Sequence, residues 1–114
     1  MKLLTQSLYK RFAKIGGEMI SLAAVEEIAV ATWPEGAHAA VAVPDTRKGE
    51  IIVLVTTQQG AQRRSFLEHT QEKGISELHV PRRFVTVQAL PLLGTGKLDY
   101  REVSLLANES GEAG

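Results

Sequence analysis

Cysteine is absent from the 114 residues, which excludes disulfides and thiolate metal sites. Aromatic residues are few, at 5%, and neither of the two basic segments interleaves them, which argues against a small α+β nucleic-acid binder. Long hydrophobic runs are missing as well. The longest strongly apolar run, Ile51 to Val55, falls far short of the roughly 20 residues that span a bilayer. Met1 to Arg11 holds only Leu3 and Leu4 as a neighbouring apolar pair, so no signal-peptide core is visible. Net charge is also lacking, since 13 basic residues balance 13 acidic ones. These absences leave a soluble domain with no membrane span.

What is present suffices for a modest core. A chain of this length is one domain and can bury roughly 60–70% of its unfolded surface. Its 44% hydrophobic and 23% charged content is ordinary for a globular fold. The charges are unevenly spread. Met1–Ile20 holds four basic residues against Glu18 alone, a net of +3, and Pro81–Arg101 holds four against Asp99 alone, again +3. A cationic edge of this kind suits phosphates or an acidic partner, unless it is merely a solvated surface.

Phe12-Ala13-Lys14-Ile15, Gly16-Gly17 and Glu18-Met19-Ile20-Ser21 read as a small hairpin around a Gly-Gly turn. Ser21 is placed to N-cap a helix through Ala31, with Leu22, Val25, Ile28 and Ala29 on one face. Trp33-Pro34 and Gly36 end it. His38–Val43 and Ile51–Thr57 are β-rich runs that pair antiparallel across a turn-rich loop. Gln62–Lys73 reads as a helix with Phe66, Leu67 and Thr70 inward, closed by Gly74 at C′ with Ile75 behind it. Phe84–Val87 is a short strand. A last helix is expected from Tyr100 to Ala107 with Val103 and Leu106 buried, and Asn108–Gly114 has the composition of a disordered tail. The fold class is α+β: a small, mainly antiparallel sheet flanked by about three helices and preceded by a short β-hairpin. Residues 1–8 read as a leader, 9–107 as the domain and 108–114 as the tail.

Chemistry concentrates in Pro91-Leu92-Leu93-Gly94-Thr95-Gly96-Lys97-Leu98-Asp99-Tyr100-Arg101. Gly94, Thr95 and Gly96 make a tight turn that presents Lys97, and Asp99 with Glu102 fits the capping box of a following helix. A phosphate-cradling loop would need Gly five residues before the Gly-Lys pair and Ser or Thr after it, where Pro91 and Leu98 stand. A dinucleotide fingerprint would need a third glycine at Asp99. Both fail, and the residues alone also allow a plain Gly-rich hairpin with a solvated lysine. His38, His69 and His79 have no ligand-like spacing and read as surface or packed histidines; Glu68, His69 and Glu72 share a helix face that reads as solvated. No metal site is expected.

The loop resembles the C-terminal signature of adenylate-forming enzymes, the acyl-CoA synthetases, acyl-carrier-protein synthetases and peptide-synthetase adenylation domains. In that family a proline, a small or polar residue, Gly-Lys and a following basic residue surround a catalytic lysine, which the resemblance puts at Lys97. Lys10-Arg11-Phe12-Ala13-Lys14-Ile15-Gly16-Gly17-Glu18-Met19-Ile20-Ser21-Leu22-Ala23-Ala24-Val25-Glu26 is similar to the hinge motif that opens the C-terminal lobe of the same family. Val80-Pro81-Arg82 lies between the two at the usual place, and the resemblance runs from about Tyr9 to Leu106. The wording is most similar to the branch of bacterial acyl-acyl-carrier-protein synthetases fused to 2-acylglycerophosphoethanolamine acyltransferase.

The resemblance implies a ligase with ATP and Mg held mainly by a separate N-terminal lobe, a fatty acid as substrate, and the phosphopantetheine thiol of acyl carrier protein or coenzyme A as acceptor. Lys10 would be the hinge pivot, and Gly16, Gly17, Glu18 and Met19 would face the pantetheine arm. As a fragment the chain would be cytoplasmic, and its parent protein would associate with the inner membrane. The family carries Gly-Arg immediately before Tyr9, where this chain has Ser7-Leu8; the lobe therefore either follows unrelated residues at its hinge or stands alone. In both cases it lacks the nucleotide pocket and is expected to be inactive by itself. The competing expectation is a non-catalytic module that keeps a carrier-protein surface.

Overall fold

The structure, a computed structural model, describes residues 11–45, 47 and 49–113, the side chains of 110–113 excepted. Lys10 and the leader residues lie outside the described residues. The elements are β1 (Phe12–Ile15), β2 (Glu18–Ser21), α1 (Leu22–Thr32), β3 (His38–Asp45), β4 (Gly49–Thr56), α2 (Arg63–Lys73), β5 (Arg83–Thr86) and α3 (Tyr100–Ala113), with a 3-10 turn at Glu77–His79 before β5.

The sheet is organised on β4. β3 pairs with it antiparallel along its whole length, from His38↔Thr56 to Asp45↔Gly49. On the other edge of β4, β1 meets its first residue through Ile15↔Gly49. β5 joins further along that edge, parallel, from Val53↔Arg83 to Thr56↔Thr86. The parallel pairing follows from the connection, because α2 carries the chain back across the sheet between β4 and β5. The β1–β2 hairpin is held at its base by the Leu22 N–H donating to the Arg11 carbonyl (2.9 Å) and along its side by the Lys14 N–H donating to Glu50 Oε1 (2.7 Å).

β3 and β4 are covered on both faces, which is why Ile51–Val55 reads as a continuous apolar run instead of an alternating one. Ala40, Ile52 and Leu54 face a layer built by α1, α2 and the hairpin residues Ala13 and Ile20. Ala39, Val41, Val43, Ile51, Val53 and Val55 face α3 through Val103 and Ala107. The scarce aromatics are concentrated in the first layer: Phe66, fully buried, lies 6.3 Å from the Trp33 and Phe84 ring centroids, and Trp33 lies 6.1 Å from Phe84. Phe66 and Thr70 are buried as expected, and Leu67 packs half-buried beside them.

Helix ends match the capping chemistry read from the sequence. The Ser21 hydroxyl accepts from the Ala24 N–H (3.1 Å). Gly74 takes the left-handed conformation at φ 69° and its neighbour Ile75 donates back to the Thr70 carbonyl (2.9 Å). The last helix differs from expectation in two ways. It continues past Ala107 to Ala113, taking in most of the stretch read as a tail; once a helix is nucleated, each added residue brings a hydrogen bond, and Glu and Ala are good helix formers. Its second buried position is Ala107, while Leu106 is half-buried, because Ala107 stands one turn from Val103 on the stripe against the sheet.

β3 forms one end of the sheet. Its outward groups at Ala40 are satisfied by side chains: Glu26 Oε2 accepts from the Ala40 N–H (2.9 Å) and Arg11 Nη1 donates to the Ala40 carbonyl (3.2 Å). Pro44, four residues along the same edge, has no N–H to offer. Among the described residues no helix is long and apolar enough to cross a membrane.

Candidate functional site

The lysine loop is a self-bonded hairpin. Leu92 and Leu98 form an antiparallel bridge. The Leu93 N–H donates to the Lys97 carbonyl (2.7 Å), the Gly96 N–H to the Leu93 carbonyl (2.8 Å) and the Asp99 N–H to the Pro91 carbonyl (3.0 Å). Of the two glycines, Gly96 needs its freedom, at φ 94°; Gly94 has no positive φ. This frame leaves Lys97, Thr95, Leu92 and Leu93 exposed, and among the described residues the Lys97 ammonium has no ion-pair partner. The capping box is half formed. Asp99 Oδ1 accepts from the Glu102 N–H (3.2 Å), but the Asp99 N–H that Glu102 would take is already bonded to Pro91.

The hinge-side hairpin is turned by Gly16 and Gly17, both at positive φ (57° and 87°). Two positive-φ residues between paired strands match the right-handed strand twist. A Cβ on either would meet no atom within 4 Å. Ala13 and Ile20 point into the core, while Phe12, Lys14, Glu18 and Met19 are exposed, Met19 at 62%.

The structure does not bring Gly16–Met19 and Gly94–Lys97 into one pocket. The hairpin is anchored in the layer with α1 and α2, and the loop's Leu98 in the layer with α3. What does join the two segments is a group that sequence reasoning missed. Glu26 Oε1 accepts from Arg11 Nη2 (2.7 Å), and Glu26 Oε2 accepts from the Tyr100 hydroxyl (2.7 Å). The Arg11 guanidinium lies 4.2 Å from the centre of the Tyr100 ring. Burial first, then the hydrogen bond to Glu26 and its charge, push the Tyr100 hydroxyl far above the usual tyrosine range, opposed by Arg11. No local sequence pattern could have found the group, because Tyr100 and Glu26 are 74 positions apart.

His38 is packed: Nε2 donates to the Trp33 carbonyl (2.9 Å) and Nδ1 lies 2.8 Å from the Thr56 hydroxyl. His69 and His79 are half-buried. Among the described residues no three His, Asp or Glu side chains converge as a metal site. A cavity of about 290 Å³ lies between Ile15, Leu78 and Val80, edged by Arg63, Arg82, Glu50 and Glu77.

Residues 19–97 match the family model described as the AMP-binding enzyme C-terminal domain. Pseudomonine synthase PmsE of Pseudomonas entomophila (strain L48) is 31% identical over 96 residues, which are 82% of this chain and 16% of that protein. The apo structure of Mycobacterium smegmatis MbtA superposes with a TM-score of 0.74 at 30% identity, over 84% of this chain and 19% of that one. The Brucella canis acyl-CoA synthetase shares the fold, with a TM-score of 0.72 at 22% identity over 88% of this chain and 19% of its own. The chain thus spans about a fifth or less of the length of these proteins. It belongs to the AMP-binding enzyme C-terminal domain family.

Proposed function

We propose that the chain is the mobile C-terminal catalytic lobe of an ATP-dependent ligase that activates a fatty acid. In the first half-reaction a carboxylate oxygen attacks the α-phosphorus of ATP. The α–β phosphoanhydride bond breaks, pyrophosphate leaves and an acyl-adenylate forms. In the second, the phosphopantetheine thiolate of acyl carrier protein or coenzyme A attacks the acyl carbon, AMP leaves with the bonding pair, and a thioester forms. ATP and its Mg would sit mainly in the partner N-terminal lobe, so the chain alone would be inactive.

One observation carries this reading. Two glycine-built turns, each exposed, are anchored in different core layers of one small domain. A domain that must present one turn for one reaction and the other for the next needs such an arrangement. Lys97, on a turn whose backbone is fixed by its own hydrogen bonds, would stabilise the negative charge that grows on the carboxylate and phosphate oxygens. Gly16 and Gly17, which add no side chain to the tip of the other turn, would leave room for the pantetheine arm, with Glu18 and Met19 beside it. Lys10 would be the pivot between the two poses.

The test joins this chain to its adenylation lobe and measures each half-reaction separately. Lys97→Ala should reduce acid-dependent ATP–pyrophosphate exchange by roughly 10²–10³, the equivalent of about 3–4 kcal/mol for one preorganised charge-stabilising group. Thioester formation from supplied acyl-adenylate should be far less affected. Equal losses in both, or exchange by the isolated chain, would contradict the reading; a module that binds carrier protein without chemistry would show no exchange at all.

A further inference from the structure

We propose that Arg11, Glu26 and Tyr100 are positioning residues: a clasp that fixes the lysine loop relative to the chain just beyond the hinge, so that hinge rotation carries Lys97 as part of a rigid body. The inference rests on the function proposed above for Lys97, but the clasp itself is a matter of geometry.

Every member has at least two partners. Glu26 holds Arg11 with one carboxylate oxygen and both Tyr100 and the Ala40 N–H with the other. Arg11 reaches the Ala40 carbonyl with its second nitrogen and stacks on the Tyr100 ring. The Arg11 and Glu26 side chains are only 25% and 18% exposed, so the pair is shielded from the screening that makes surface ion pairs weak. A charged acceptor shared among three donors is strong and directional.

The clasp is placed to act on the loop. Its own backbone bonds close within residues 91–99, so they set its shape but not its orientation on the domain. Orientation comes from the two ends: Leu90 at the entry and Leu98 at the exit pack on the layer with α3, and on the exit side Tyr100 adds the bond to Glu26. Only Leu98 and Asp99 separate Lys97 from Tyr100. At the other end, Arg11 stands one position past Lys10. The clasp therefore links the two segments on which the proposed mechanism depends. A plain sheet-edge cap would need Glu26 and Arg11 at Ala40; it would not need Tyr100.

The test uses the full-length protein that carries this chain, and Tyr100→Phe, which deletes one oxygen and keeps the ring under Arg11. Amide hydrogen exchange at Leu93, Gly96 and Asp99 should quicken about tenfold, the size of one hydrogen bond to a charged acceptor, while Val53 and Leu54 in β4 keep their protection. ATP–pyrophosphate exchange should fall by a similar factor in kcat with KM for ATP unchanged. In a Lys97→Ala background, Tyr100→Phe should cause no further loss, because it acts through the lysine. Arg11→Lys, which keeps the charge but loses the fork and the stacking, should shift both readouts the same way. Unchanged loop exchange in both variants, or an equal loss with and without Lys97, overturns the clasp. If wild-type activity proves independent of Lys97, the proposed function fails, and the loop-exchange result still decides the geometry.

Discussion

Gly17 offers the sharpest separation between a structural and a functional role. At φ 87° it sits where an L side chain is strained, yet a Cβ placed there meets nothing within 4 Å. Gly17→Leu should therefore carry a backbone penalty of roughly 1–2 kcal/mol and no clash inside the domain. For a domain of about 100 residues, each kcal/mol lowers Tm by roughly 4–8 °C, so a fall of about 5–15 °C is expected by circular dichroism. Asn tolerates left-handed angles better, so Gly17→Asn should recover much of that loss. Activity should follow a different order. In the protein joined to its adenylation lobe, both variants present a side chain to the pantetheine path, so thioester formation should fall in both. Pyrophosphate exchange, performed in the other pose, should stay near wild type at a temperature where the domain is folded. If Gly17→Asn restores thioester formation as fully as it restores Tm, the glycine serves the turn alone. An unchanged Tm in Gly17→Leu would refute the backbone reasoning itself.

Phe66→Ala should destabilise the domain by about 3–5 kcal/mol in urea titration, since the ring is fully buried at the centre of the aromatic group; a loss under 1 kcal/mol would show that the layer collapses around the gap. The raised Tyr100 pKa predicts a specific alkaline weakness. Unfolded tyrosine loses its proton near pH 10 while the folded hydroxyl keeps it, so the contribution is complete below about pH 10 and declines as pH rises towards the folded value. Stability measured from pH 9 upwards should fall more steeply in wild type than in Tyr100→Phe, and parallel curves would contradict this.

Local chemistry was legible in the sequence and remote chemistry was not. Gly16-Gly17, Ser21 and Gly74 announce their roles because a turn or cap is decided within a few residues, and each stands where its type required. The strand pair around 44–50 was readable for the same reason, although continuous burial hid which residues face which layer. The half-formed box at Asp99 shows how a local rule yields: its N–H was taken by Pro91, eight positions back, through a bridge that no capping pattern encodes. Ala107, not Leu106, is buried because it stands one helical turn from Val103 on the stripe against the sheet, a register that the apolar run alone did not fix. The 3-10 turn at Glu77–His79 left no periodic signal in three residues. Glu26 closed the hinge motif in the sequence, but its partners come from positions 11, 40 and 100, and only the fold assembles them.

The bonds that Glu26 and Arg11 make to Ala40 also have a colloidal consequence. A bare outer strand is a template onto which another extended chain can zip, and many proteins blunt it with charge or proline. Here the carboxylate and guanidinium occupy the docking groups at Ala40, and Pro44 removes a donor further along. The side chains that would steady the lysine thus also keep one molecule from adding to the next. Weakening Glu26 would open a sticky margin as well as loosen a loop, so light scattering at high concentration should rise in Glu26→Ala and stay low in Lys97→Ala, which leaves Ala40 capped.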